Sequence, residues 1–184
     1  GLQELDEEML NFAHRVATTQ RDAAKSAYGF YNFIQIEAMK FFVEGRLSLA
    51  YEKALTSIDI AERSKFVGAH IPFEALYIRG VCEEENLDYE SALGTWNHLI
   101  EVSKSAYHPA FEVIGNLRAA RIKAKSEPSI NLFNIVEEQH QFANSLPYRH
   151  EINSLIDMEE FVISYRTQNF DRAKVLLPRI PQTQ

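Results

Sequence analysis

The sequence predicts an all-α fold of antiparallel helical hairpins stacked in series, about nine helices in a single domain over residues 1–184. The first of three observations is a recurring turn-and-helix grammar: Glu44-Gly45-Arg46-Leu47-Ser48-Leu49-Ala50, Asn86-Leu87-Asp88-Tyr89-Glu90-Ser91-Ala92 and Thr167-Gln168-Asn169-Phe170-Asp171-Arg172-Ala173. With a weaker copy at Ser126-Glu127-Pro128-Ser129-Ile130-Asn131-Leu132, the aligned positions Ala50, Ala92, Leu132 and Ala173 stand 42, 40 and 41 residues apart. A period of that size marks hairpins that bury their apolar faces only against neighbours. The second is punctuation: 7 Gly and 6 Pro suit long helices joined by short turns. The third is composition, because 46% hydrophobic residues in a chain without a Ser/Gly-rich linker can fill one continuous core.

The elements follow in order. Leu5, Met9, Phe12, Ala13 and Val16 recur at spacings of three and four, predicting a first helix over about Gln3 to Thr18 that resembles the second half of a hairpin. From about Asp22 to Val43, Tyr28, Phe30, Tyr31, Phe33, Ile34, Ile36, Met39, Phe41 and Phe42 cover most of a helix's circumference, so that helix is flanked on several sides. Gly45, which reaches positive φ cheaply, turns the chain into a helix over about Leu47 to Arg63, where Ala50 and Ala54 allow close approach of a neighbour. After Gly68 and Pro72 comes the best-formed hairpin, about Phe73 to Glu85 and Tyr89 to Lys104. Pro109 opens a helix to about Lys125, and Ser126-Glu127-Pro128 offers a cap and a first-turn proline for one ending near Asn144. Pro147 separates the last pair, about His150 to Arg166 and Phe170 to Leu177, and Pro178 and Pro181 stop it.

Composition narrows the partners. A formal charge of −7 disfavours phosphate-backbone binding by the whole chain, so no direct nucleic-acid partner is expected. Cys82 is the single cysteine, which excludes an internal disulfide framework and a multi-cysteine metal site and fits a reducing, cytoplasmic setting. No apolar run reaches membrane-span length, and the acidic opening Gly1-Leu2-Gln3-Glu4-Leu5-Asp6-Glu7-Glu8 is unlike a secretory signal, so no membrane partner is expected. The unpaired first helix and short last helix leave uncapped ends, which suggests a piece of a longer protein or self-association through those ends.

Gly80, Tyr89, Ala92, Trp96 and Leu99 resemble the signature of tetratricopeptide repeats, with Gly80 twelve positions before Ala92 as in that family. Arg79 stands where the family usually places leucine, and the period exceeds the family's roughly 34 residues. The longer repeat, together with Tyr165-Arg166-Thr167-Gln168-Asn169-Phe170-Asp171-Arg172-Ala173-Lys174-Val175-Leu176-Leu177, is similar to the sensor arrays of large LuxR-type, maltose-regulator-like transcription factors. The resemblance implies a right-handed superhelix whose concave face, made by the first helix of each hairpin, binds a protein or peptide segment or a small charged effector. It implies no enzymatic activity and no cofactor; a peptide-pheromone receptor is the alternative within the same class. The nucleotide-binding and helix-turn-helix regions of such regulators have no counterpart in this chain.

Candidate chemistry is sparse. Glu137-Glu138-Gln139-His140 has the Glu-x-x-His spacing of carboxylate-bridged metal bundles, which need a second copy; His14, His70, His98, His108 and His150 supply none, so no metal site is expected and a helical-bundle metal enzyme is disfavoured. Cys82 reads as a small buried residue rather than a nucleophile. Glu83, Glu84 and Glu85 end one first helix, and Arg118, Arg121 and Lys125 lie at spacings of three and four near the same end of the next. Either these charges form an inter-repeat ladder, at about 0–1 kcal/mol per exposed pair, or they polarise a groove. The groove reading gives Asn32, Tyr77, Glu84, Arg118, Arg121, Lys125 and Tyr165 as ligand-binding residues, with Tyr77 and Glu84 expected to face the same space as Arg121.

Overall fold

A computed structural model describes residues 15, 18, 27–63, 71–127 and 129–180, and for 27–29 the backbone alone. Among the described residues there are eight α-helices and no strand: α1 Ala27–Val43, α2 Leu47–Arg63, α3 Phe73–Glu85, α4 Tyr89–Ser105, α5 Pro109–Ser126, α6 Leu132–Asn144, α7 Arg149–Arg166 and α8 Phe170–Leu176, followed by a 3-10 turn at Leu177–Arg179. The helix expected over Gln3 to Thr18 lies outside the described residues, as do Gly68 and the side chain of Tyr28. The chain divides inside α4 into two compact units, one up to Thr95 and one from Trp96 to residue 182.

Four turns share one geometry. At Gly45, Leu87, Tyr107 and Gln168 the chain takes positive φ between 55° and 71°. In each, that residue's N–H bonds the carbonyl three back and the next N–H bonds the carbonyl five back, as in Arg46 N to Phe41 O at 2.8 Å and Asn169 N to Ser164 O at 2.8 Å. This Schellman closure satisfies carbonyls that a helix end otherwise leaves bare. The following helix then starts two residues later, and Asp88 and Asn169 cap theirs by accepting from the N–H groups of Ser91 and Arg172.

The alanines expected at crossings are buried: Ala50 and Ala92 completely, Ala173 to 5% exposure. Each is the fourth residue of its helix, but Leu132 is the first residue of α6. The aligned copy is thus displaced by three residues, and Ile135 occupies the fourth position. Ser126 is the last residue of α5, its hydroxyl bonded to Lys123 O, while Asn131 caps α6 by accepting from Phe133 N and Asn134 N. An asparagine beside the helix outcompetes a serine already drawn into the preceding one.

In the first unit α1 packs on α2, α2 on α3, and α1 on α3. Tyr31, Phe33, Ile34 and Ala38 of α1 are buried, whereas Phe30 is exposed. In the second unit α5, α6 and α7 pack mutually around Val113, Leu117, Val136, Ala143, Ile152, Ile156 and Ile163, and α8 packs on α7. First helices thus stack on first helices within each unit, as hairpin arrays require. Gly115 of α5 lets α4 come close: a Cβ there would lie 2.7 Å from Ile100 Cγ1.

Candidate functional site

Helix α7 has neighbours on several sides, and its polar residues are correspondingly buried. Asp157, Glu159 and Glu160 are 9%, 9% and 1% exposed. Buried carboxylates require partners; Glu159 finds its own, and Asp157 and Glu160 share His140.

Glu159 faces α5. Its Oε1 lies 2.7 Å from Arg118 Nη2 and its Oε2 3.1 Å from Arg121 Nη1, so one carboxylate gathers two guanidinium groups. Arg121 is itself buried, and with Lys125, Arg166 and Thr167 it lines a small cavity of about 250 Å³. Arg118 and Arg121 of the basic stripe therefore have an acidic partner on α7, a residue outside the Glu83–Glu85 stripe. Tyr165 stands exposed near the end of α7, its ring stacked with Phe161 at 6.4 Å and edge-on to Phe170 at 5.9 Å. Asn32, Tyr77 and Glu84 belong to the first unit. There Asn32 is half-buried, Glu84 is buried, and the Tyr77 ring meets Phe42 edge-on at 6.1 Å.

Glu83 of the expected acidic stripe turns inward. It accepts hydrogen bonds from Arg79 Nε at 2.7 Å, Thr95 Oγ1 at 2.7 Å and Tyr51 Oη at 3.3 Å. Beside it Cys82 is buried, its thiol pointing to Leu47 O at 3.5 Å. Burial first, then the negative charges of Glu83 and Glu85, pushes that thiol up to about 11.

Asp157 and Glu160 open onto a cleft of about 590 Å³ in the second unit, bounded by α6, α7, α8 and the closing turn. Its walls carry four carboxylates, Glu137, Asp157, Glu160 and Asp171, against the guanidinium groups of Arg172 and Arg179. His140 enters from α6. Its Nδ1 lies 2.6 Å from Asn153 Oδ1, and Asn153 Nδ2 donates in turn to Asn144 Oδ1 at 3.0 Å. That relay fixes the amide, places the ring proton on Nδ1 and aims Nε2 at the two acids. Nε2 stands 3.6 Å from Asp157 Oδ1 and 3.7 Å from Glu160 Oε2.

Glu160 is also bonded by Arg172 Nε, whose side chain additionally lies over the Phe133 ring at 5.5 Å. Asp157 is less well served: Oδ1 is buried and accepts no hydrogen bond, and Arg179 Nη1 stands 4.0 Å away. Electrostatics follow the geometry. The Glu160 carboxylate raises the imidazole of His140 above its usual range, against the opposing effect of burial. Burial pushes Glu160 up, but the neighbouring His140 imidazole and the bond from Arg172 outweigh that and hold it below the ordinary glutamate value.

The Glu-x-x-His pattern did not point to this grouping, because the bundle sites that use it need a second Glu-x-x-His copy and the chain has none. The legible signal was Asp157-Met158-Glu159-Glu160, an Asp-x-x-Glu spacing on a helix whose isoleucines at 152, 156 and 163 leave those acids little room to reach solvent. No protein-family model, curated protein or solved structure matches this chain.

Proposed function

We propose that the chain is a non-enzymatic recognition module whose second unit binds a small polar effector in the cleft between α6, α7 and α8. The buried Asp157 oxygen without a donor carries the reading. A desolvated carboxylate lacking a hydrogen bond costs roughly 1–3 kcal/mol or more, and a ligand donor entering the cleft would remove that cost. The volume suits the reading, since small-molecule sites enclose about 300–1,000 Å³. Four carboxylates against two guanidinium groups favour a ligand with a cationic end, and Arg172 and Arg179 can hold a carboxylate at its other end.

The hairpin pattern supports placing this module in a longer regulatory protein of the transcription-factor kind, working in a reducing cytoplasm. Among the described residues no helix is long and apolar enough to cross a membrane. The reading is tested by a thermal-shift and calorimetric screen of arginine, lysine, agmatine and putrescine against wild type and Val175→Trp. Val175 lines the cleft and is 62% exposed, so the indole obstructs the entrance without disturbing the core. Binding by wild type that Val175→Trp loses, at unchanged helicity, supports the cleft. Binding of equal strength in the two proteins places the ligand elsewhere and removes the proposal.

A further inference from the structure

We infer that His140, Asp157 and Glu160 form a binding site for one divalent transition-metal ion at the floor of the cleft. The inference rests on reading that cleft as a ligand site and names its innermost ligand. Three acceptor atoms, Nε2 of His140 and one oxygen from each acid, all lie within 4.8 Å of one another. With the ring proton held on Nδ1, the Nε2 lone pair points at two carboxylate oxygens. For the neutral ring such convergence is repulsive unless a cation, a proton on Nε2 or a metal ion, lies between them.

A proton on Nε2 is poorly placed to serve both acids. At 3.6 and 3.7 Å neither contact is a hydrogen bond, and Asp157 Oδ1 remains without a donor. A metal ion relieves all three atoms together. Bonds of about 2.0–2.2 Å to nitrogen and oxygen ligands put neighbouring ligand atoms roughly 3.4 Å apart in a tetrahedral site. The two histidine separations are already near that value, and the two carboxylate oxygens, within 4.8 Å of each other, would draw together around the ion.

The surroundings are those of a supported metal site. Asn153 takes the other ring N–H of His140 and is itself held by Asn144; Arg172 bonds the oxygen of Glu160 that the metal would leave free. Three protein ligands leave at least one coordination position facing the cleft, where an effector's donor atom could complete the shell. One imidazole and two carboxylates favour a first-row ion such as Zn²⁺ or Mn²⁺ over Ca²⁺ or Mg²⁺.

The test is calorimetric titration of the untagged full chain with Zn²⁺, paired with the visible spectrum of the Co²⁺-loaded protein. Wild type should bind one Zn²⁺ per chain and give the intense d–d bands of low-coordinate cobalt. Asn153→Ala should weaken binding about 10–100-fold and Asp157→Asn by more than that, while the exposed His150→Gln leaves it unchanged. The cobalt spectrum needs no substitution, so the inference stays testable if Asp157→Asn fails to fold. Absence of Zn²⁺, Mn²⁺ and Co²⁺ binding, or equal Zn²⁺ affinity in folded Asp157→Asn, overturns the metal site. If the amines still bind in a manner that Val175→Trp abolishes, only the metal falls and the cleft stands.

Discussion

At the scale of single residues, burial decides what each charged or reactive group can do. Cys82 combines an inaccessible position with a thiol pushed up to about 11, so at pH 8 about one thousandth is thiolate, against roughly a quarter for an ordinary thiol. Native protein should therefore react with maleimide more than about 100-fold slower than denatured protein; equal rates would contradict its placement. Its buried role was readable from its place two residues after Gly80, but the fate of Arg121 was not. An arginine at helical spacing reads as a surface charge until its neighbours are known, and here Glu159, 38 positions away, draws it inside. If Arg121 only lined a groove, Arg121→Glu would leave stability nearly untouched; its burial against Glu159 implies the opposite. Putting a carboxylate against Glu159 should cost about 3–5 kcal/mol, read as a large fall in melting temperature, and an unchanged melt would remove the buried pair from the account.

At the scale of helices and turns, most boundaries were legible because the signals are local. Gly45, Asp88, Pro109 and Asn169 each act within a few residues of their own position. The start of α6 was misplaced because Ser126 and Asn131 are both acceptable caps, and only the exit of α5 decides between them. Three of the four positive-φ turn residues carry side chains, which in the left-handed region costs about 1–2 kcal/mol. Leu87 is 69% exposed, so Leu87→Gly loses little packing and should raise stability by about 0.5–1 kcal/mol after the entropy that glycine adds to the unfolded chain. Gly45→Ala, with open space for its Cβ, should lower stability by about 1 kcal/mol through φ alone. Denaturant midpoints of the two variants check both signs, and a shift of Leu87→Gly in the destabilising direction would count against the turn geometry. Gly115→Ala belongs to another class. Its Cβ meets Ile100 at 2.7 Å, and a loss of about 1–3 kcal/mol is expected by the same measurement.

At the scale of the whole molecule, the all-helical class and the series of hairpins were present in the sequence as periodicity, whereas the cleft was not. His140 lies on one helix and Asp157 and Glu160 on the next, and their convergence depends on the angle at which α6 and α7 pack. Spacing within a helix does not encode that angle. The same holds for Arg172, which reaches Glu160 from α8. The central claim is that the ligand site of this chain is this cleft. The most direct measurement is an ¹⁵N NMR titration of the untagged full chain with agmatine and, separately, with Zn²⁺, following backbone amides and the Asn153 side-chain amide. The account predicts saturable shifts centred on His140, Asn153, Asp157, Glu160 and Arg172, with the Asn153 amide among the most affected. Saturable shifts centred on α1 to α3, or none with either probe, would contradict it.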